Sequence, residues 1–148
     1  MIKLLSLNAN GLSSDLKRSW IRSLGKDLFC NIVCIQESHL QSVDLSTVKS
    51  CWGSTAVDFA FAGSIGRSGG LITLWDPNFF ESEASFQGQN FLMVKGKWRS
   101  NNCICFVVNV YAPNDPSGRV QLWDSLSDII GENPNAGYVP TRFLKSTI

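Results

Sequence analysis

The hydrophobic spacing of this chain changes once, from a strand–helix–strand pattern to a series of short strands, and this change limits the folds available. Residues 2–7 form a β-prone apolar run that ends at Asn8, and residues 32–35 form another that ends at Gln36 and Glu37. Between the two runs, apolar residues recur on one helical face behind a capping serine (Ser13 or Ser14): Leu12, Leu16, Trp20, Ile21, Leu24 and Leu28. A helix that connects two strands predicts a parallel pair.

The middle of the chain contains five short strand candidates separated by Gly, Pro, Asn and Ser, which are 57–62, 71–75, 80–86, 91–98 and 103–111. Residues 99–102 have turn composition and predict a hairpin between the last two strands. A helix is predicted after them, with Asp115 as its cap, Pro116 at its first position and Gly131 at its end. The pattern therefore predicts an α/β fold in which helices flank mixed sheets.

Composition limits the size, partners and location of the protein. The chain has 148 residues, enough for one domain, and its 44% hydrophobic content is sufficient for a core. A net charge of +1 argues against a basic nucleic-acid-binding surface over the whole domain. It leaves room for a DNA substrate, because a metal ion and a few local cations can hold a phosphate.

Five cysteines, three of them within apolar runs, indicate reduced and buried thiols in an intracellular protein. The N-terminal apolar run is too short for a signal peptide, and no apolar run approaches the roughly 20 residues that span a bilayer. We therefore expect a nuclear or cytoplasmic location without membrane attachment.

Polar side chains follow three of the predicted strands, namely Asn8, Glu37 and Tyr111. Ligands collect at the strand ends of sheets that are flanked by helices. Because Asn8 and Glu37 follow parallel strands, they should lie side by side and offer oxygen ligands to a hard cation such as Mg²⁺. Each residue also has a purely structural interpretation: a turn former, a helix cap or surface charge, and an aromatic at the sheet rim.

Four sequence words occur in a fixed order: Ser-Leu-Asn-Ala-Asn-Gly-Leu (6–12), Asn-Ile-Val-Cys-Ile-Gln-Glu-Ser-His (31–39), Gly-Arg-Ser-Gly-Gly-Leu (66–71) and Val-Asn-Val-Tyr-Ala-Pro-Asn (108–114). Together they resemble the endonuclease/exonuclease/phosphatase (deoxyribonuclease I-like) superfamily. More narrowly, they resemble the N-terminal part of plant non-LTR retrotransposon endonuclease domains. The resemblance implies an incomplete four-layer α/β/β/α sandwich over residues 1–131, followed by a non-matching tail over 132–148.

The same resemblance implies roles for individual residues. Glu37 matches the metal-binding Glu, and Asn8 matches the Asn that helps to place the metal (Mg²⁺ or Mn²⁺) and the scissile phosphate. Tyr111 matches a catalytic Tyr that contacts the phosphate, and Asn114 stands where an Asn on the substrate side follows. Arg67 is a further candidate for phosphate binding, with a surface role in its loop as an equal alternative.

Two words of the superfamily pattern do not occur in this chain. They are Gly-Asp-Phe-Asn, whose polar residues orient the water, and Ser-Asp-His, which supplies a catalytic His. The only histidine, His39, does not match that position, and we interpret it as a loop residue at the rim of the site. We therefore expect a catalytically incomplete fragment of an enzyme, in which the inner face of a sheet is exposed for want of a partner.

Three interpretations of function remain open. The first is a truncated endonuclease domain that acts on DNA, with a reverse transcriptase as a partner in a full-length product. The second is a non-enzymatic remnant or a module that binds nucleic acid or metal, and the third is the phosphatase branch of the superfamily. Lys95, Lys97 and Arg99 share one strand face, which either meets DNA phosphates or is a solvated surface.

Overall fold

The structure is a computed structural model that describes residues 2–66, 68–111 and 115–132, together with the backbone of 137–140. Its elements, in chain order, are β1 (Leu4–Asn8), α1 (Asp15–Asp27), β2 (Ile32–Gln36), α2 (Leu45–Trp52), β3 (Asp58–Ala62), β4 (Leu71–Trp75), β5 (Phe80–Gly88), β6 (Phe91–Trp98), β7 (Ile104–Val110), α3 (Pro116–Gly131) and β8 (Gly137–Pro140).

The eight strands of the described part of the chain form two four-stranded sheets. The first sheet has the order β1-β2-β4-β3, and β1 and β2 are parallel, as the strand–helix–strand pattern predicts. β4 lies antiparallel to both β2 and β3. The second sheet has the order β5-β6-β7-β8, in which β6 and β7 form the predicted antiparallel hairpin and β8 adds in parallel to β7. Both sheets are therefore mixed.

Three hydrophobic clusters separate four layers. On one side of the first sheet, α1 and α2 cover a cluster that includes Ile21, Val33 and Val48. On the far side of the second sheet, Leu122 and Leu126 of α3 pack on the alternate residues of β6 and β7. This helix–sheet–sheet–helix order is the α/β/β/α arrangement that the resemblance of the four sequence motifs implies.

The cluster between the two sheets corrects one expectation. Ile32, Cys34 and Trp75 of the first sheet pack against residues of the second sheet that include Val94 and Trp98. All five side chains are at most 6% exposed, so the inner face of the first sheet is covered rather than exposed. The chain itself supplies the strands that cover this face, so the first sheet does not lack a packing partner.

The start of α1 agrees with the sequence pattern, but the set of apolar residues that it buries does not. Ser14 caps α1 by accepting a hydrogen bond from the Lys17 amide, as predicted. However, Leu16 is 81% exposed and Trp20 is 46% exposed, because α1 turns Ile21 toward the sheet.

The sequence pattern did not indicate α2, although Asp44 caps its start and Gly53 ends it in the left-handed conformation at φ 94°. β8 was likewise not predicted.

The thiols at positions 30, 34, 51 and 103 are free, and Cys34 and Cys51 are buried as expected, whereas Cys103 is exposed and Cys30 is half-buried. Burial raises the pKa of Cys34 to about 12 and that of Cys51 to about 11, which disfavours their reactive thiolate forms. Within the described residues, every helix is too short or too polar to cross a bilayer.

Candidate active site

The ends of β1 and β2 lie side by side, which is where the sequence predicts a site. Asn8 pairs in register with Gln36, and the amide of Gly11 donates to the Glu37 carbonyl over 2.8 Å. Asn8 at the end of β1 and Glu37 after the end of β2 therefore lie at the same end of the first sheet. The side-chain oxygen of Asn8 accepts a hydrogen bond from the Asn10 amide at 2.9 Å, a local turn that holds the Asn8 amide in one orientation.

The backbone of Glu37 breaks the alternation of β2. Val33 and Ile35 face the helices, whereas Ile32 and Cys34 face the second sheet, so a regular strand would turn Glu37 toward the helices. Its φ of 53° instead lies in the left-handed region, which costs a non-glycine residue about 1–2 kcal/mol. The carboxylate then reaches the second sheet, where the Tyr111 hydroxyl donates to Oε1 over 3.1 Å.

Tyr111 follows β7 and is fixed by its backbone as well as by its side chain. Its amide donates to the carbonyl of Asn90, in the turn between β5 and β6, over 2.9 Å. Burial raises the pKa of Tyr111, and the hydrogen bond to Glu37 and the charge of that carboxylate raise it further. The phenol therefore stays protonated at neutral pH and can donate a hydrogen bond.

Glu37 and Tyr111 line a cavity of about 310 Å³. The remaining walls come from two glycine-containing turns, one leading into β4 and one joining β5 to β6, with contributions from the end of β3: Ala62, Gly63, Ile65, Ser68, Gly69, Gly70, Leu71, Gly88, Gln89 and Asn90. Asn8 stands at the same sheet edge but does not line this cavity. The structure thus brings Glu37 and Tyr111 into direct contact, whereas Asn8 pairs with Gln36, the residue before Glu37, and is not part of the cavity wall.

The other predicted residues have different outcomes. Arg67 and Asn114 lie outside the described residues, so their proposed contacts with substrate stay predictions. His39 is in the loop after β2, where its imidazole Nδ1 lies 3.2 Å from the point that a Cβ at Gly11 would occupy. Its place against the Gly11 turn agrees with the interpretation of His39 as a loop residue.

The donor set is compatible with Mg²⁺ but small. Within the described residues, no group of three His, Cys, Asp or Glu side chains converges on one point. Glu37 is the one carboxylate among the described residues that line the cavity, and its Oε1 accepts a hydrogen bond from Tyr111. Because Mg²⁺ keeps several waters and binds proteins through one or two carboxylates, a single Glu carboxylate suits Mg²⁺ better than zinc, which takes three or four protein ligands.

The strand face with Lys95, Lys97 and Arg99 agrees with the solvated-surface interpretation. Lys97 lies 3.7 Å from a carboxylate oxygen of Glu83, and Arg99 lies 3.7 Å from one of Glu81. These acids belong to the neighbouring strand β5, so two of the three cations are paired across the sheet.

Sequence reasoning missed a buried polar cluster just beneath the Glu37–Tyr111 contact. Asn109, on β7, is 0% exposed and accepts a hydrogen bond from Nε2 of Gln36 over 2.9 Å. The available signal was an Asn within an otherwise apolar strand, Ile-Cys-Phe-Val-Val-Asn-Val. A buried amide requires partners, but a single strand does not reveal which residues face it.

Solved structures of known proteins share this architecture. An AP endonuclease from Leishmania major matches with a TM-score of 0.68 at 18% identity, over 94% of this chain and 54% of that one. An AP endonuclease from Archaeoglobus fulgidus matches with a TM-score of 0.64 at 17% identity, over 90% and 52%. A 3′ phosphatase from Neisseria, bound to a product DNA hairpin, gives 0.68 at 13% identity, over 95% and 56%.

These matches establish the fold as deoxyribonuclease I-like, with two sheets and flanking helices. The chain spans about half the length of the solved structures that it matches. No protein-family model matches the sequence. Fold alone does not fix function, which depends on the chemistry of the site.

Proposed function

We propose that this chain is the N-terminal part of a Mg²⁺-dependent domain that hydrolyses phosphodiester bonds in DNA, and that it is catalytically incomplete by itself. The observation that carries the proposal is the contact of Tyr111 with Glu37 across the two sheets, in a cavity at the strand ends. Polar groups held at strand ends of a helix-flanked sheet are typical of ligand sites in such folds.

Each residue has a separate part in this proposal. Glu37, with Asn8 beside it, would hold Mg²⁺, which supplies stabilisation of the charge that develops on a phosphoryl oxygen. Tyr111 keeps its proton and donates a hydrogen bond, so it can contact either the carboxylate or a phosphate oxygen. Arg67 and Asn114 complete the proposed contacts with substrate.

The proposed incompleteness follows from the groups that hydrolysis requires. A nucleophilic water must be oriented, and the leaving oxygen must receive a proton or a charge partner. Glu37 and Tyr111 are the acidic groups that line the cavity within the described residues, and no second carboxylate or histidine joins them there. Removing one member of such a catalytic unit costs orders of magnitude in rate, so we expect only trace hydrolysis.

The wider resemblance to retrotransposon endonuclease domains supports a finer proposal. Over residues 1–131 the chain would be the opening portion of such a domain, with DNA as substrate and a reverse transcriptase in the same full-length product. The reduced thiols agree with the proposed nuclear or cytoplasmic location.

The test compares the wild type with Glu37→Gln, which keeps the shape of the side chain and removes its charge. We expect Mg²⁺-dependent binding of a DNA duplex that Glu37→Gln weakens at least about tenfold, equivalent to about 1.4 kcal/mol, with trace nicking of supercoiled plasmid. Fluorescence anisotropy and a plasmid nicking assay measure the two effects. Glu83→Gln, which removes a carboxylate from the outer face of β5, is the control and should bind as the wild type does.

Other outcomes would support the competing interpretations. Strong metal-dependent nicking that Glu37→Gln abolishes would keep the site but contradict the proposed incompleteness. DNA binding that ignores both Mg²⁺ and Glu37 would favour a non-enzymatic binding module. Release of phosphate from an inositol phosphate would favour the phosphatase branch.

A further inference from the structure

Asn109 occupies a position that the rest of its strand gives to apolar residues. Cys105 and Val107, which precede it on the same face of β7, belong to the core between the sheets. Asn109 continues that face and is 0% exposed, so its amide has been removed from water completely. A buried amide is tolerated only where its donors and acceptors find partners.

The partners of Asn109 come from the two central strands of the opposite sheet. Its Oδ1 accepts from Gln36 Nε2 over 2.9 Å. Its Nδ2 lies 3.0 Å from the Ile72 carbonyl, 3.3 Å from the Ile35 carbonyl and 3.2 Å from the Thr73 hydroxyl. One side chain of the second sheet is thus bonded to both β2 and β4 of the first sheet.

Gln36 extends this connection toward the edge strand. The same Nε2 lies 3.0 Å from the Ser6 hydroxyl on β1, and Gln36 itself pairs in register with Asn8. Gln36 immediately precedes Glu37, and Asn109 stands two residues before Tyr111. The amide pair therefore lies deeper in the core than the Glu37–Tyr111 hydrogen bond. Each amide belongs to the same strand segment as one of the two residues that form that hydrogen bond.

We propose that the buried Gln36–Asn109 amide pair is a positioning element, which fixes the spacing and register of the two sheets so that Tyr111 meets Glu37. Apolar contacts between sheets tolerate small sliding motions, whereas directional hydrogen bonds at 2.9–3.0 Å do not. Fully satisfied polar networks in cores specify one arrangement in this way. This role rests on the proposed function, because it treats the end of the sheet that carries Glu37 as the catalytic site.

The test reads the environment of Tyr111 directly. The protein is labelled with 3-fluorotyrosine in a Tyr138→Phe background, which leaves Tyr111 as its one tyrosine, and ¹⁹F NMR spectra are recorded at neutral pH. Glu37→Ala gives the position of the Tyr111 resonance without its partner. We expect Asn109→Leu, which matches the amide in size but cannot bond, to move the resonance more than half of the way toward that position.

A matched control separates positioning from general loosening of the core. Val107→Ala removes apolar volume from the same face of β7, two residues earlier, and removes none of the hydrogen bonds of the amide pair, because a valine side chain makes none. We expect it to lower stability while the Tyr111 resonance stays at the wild-type position. Gln36→Met breaks the same amide pair from the other sheet and should reproduce the shift seen with Asn109→Leu.

Each outcome decides the proposal. A folded Asn109→Leu or Gln36→Met protein whose Tyr111 resonance remains at the wild-type position would overturn it, as would a Val107→Ala shift of equal size. If neither network variant folds, the amide pair is needed for folding itself and the positioning role is wrong. The spectra require neither metal nor DNA, so failure of the binding and nicking assays would leave this result standing.

Discussion

Phe80→Ala should lower the free energy of unfolding by about 3–5 kcal/mol, a range typical of deleting a large buried ring. Phe80 is 1% exposed and begins β5, where it enters the core between the sheets. Its ring meets Trp75 edge-on with centroids 5.9 Å apart and lies 4.9 Å from the Trp98 ring. Removing the ring leaves a cavity between Trp75 and Trp98, which belong to different sheets, so the substitution weakens the packing of one sheet on the other.

Urea denaturation measures this effect, with Phe86→Ala as the control. Phe86 is on the same strand but is 43% exposed, so its loss should cost less than about 1 kcal/mol. If Phe80→Ala and Phe86→Ala were equally mild, the two sheets would not be packed on each other as described. A large and specific effect would instead show that the chain builds its own inter-sheet core.

Gly70→Ala should destabilise the protein by about 3 kcal/mol, because backbone strain and a steric clash act together. Gly70 has φ 94°, and a Cβ there would stand 2.2 Å from the Ser38 hydroxyl oxygen and 3.3 Å from the His39 amide nitrogen. Ser38 is 0% exposed, so its side chain has no open space to move into. The Gly70 carbonyl also accepts from the Ser38 amide, which follows Glu37, so the substitution should displace the site as well.

Gly69→Ala is the matched control for this substitution. Gly69 has φ 78°, but a Cβ there would meet nothing within 4 Å, so only the conformational strain of about 1 kcal/mol remains. Thermal melts of the two variants should therefore differ by several degrees, with Gly70→Ala lower. Equal melting temperatures would contradict the close approach of the β4 turn to Ser38.

The sequence predicted elements whose signals are local. β4 and β6 have the predicted bounds, because their apolar runs are bracketed by turn residues such as Gly70 and Asn90. Asp115 caps α3 and Pro116 opens it, as the capping pattern indicates. The eight-residue helix α2 has only about two turns, too few for a hydrophobic period to emerge, and it was missed.

Contacts between distant parts of the chain were harder to predict. Parallel pairing of β1 and β2 could be predicted, and the structure pairs Asn8 with Gln36, the residue before Glu37. The direct bond between Glu37 and Tyr111 depends on how one sheet packs on the other, which no local pattern encodes. The exposure of Leu16 has the same cause, because a row of apolar residues along one helix face does not specify which of them contact the sheet.

The central claim is that Glu37 marks a divalent-metal site beside Tyr111, and paramagnetic broadening by Mn²⁺ tests it most directly. With 3-fluorotyrosine at Tyr111 in the Tyr138→Phe background, substoichiometric Mn²⁺ should broaden the ¹⁹F resonance strongly. Glu37→Gln should require at least about tenfold more Mn²⁺ for the same broadening. A resonance that stays sharp, or one that broadens equally in both proteins, would contradict the claim.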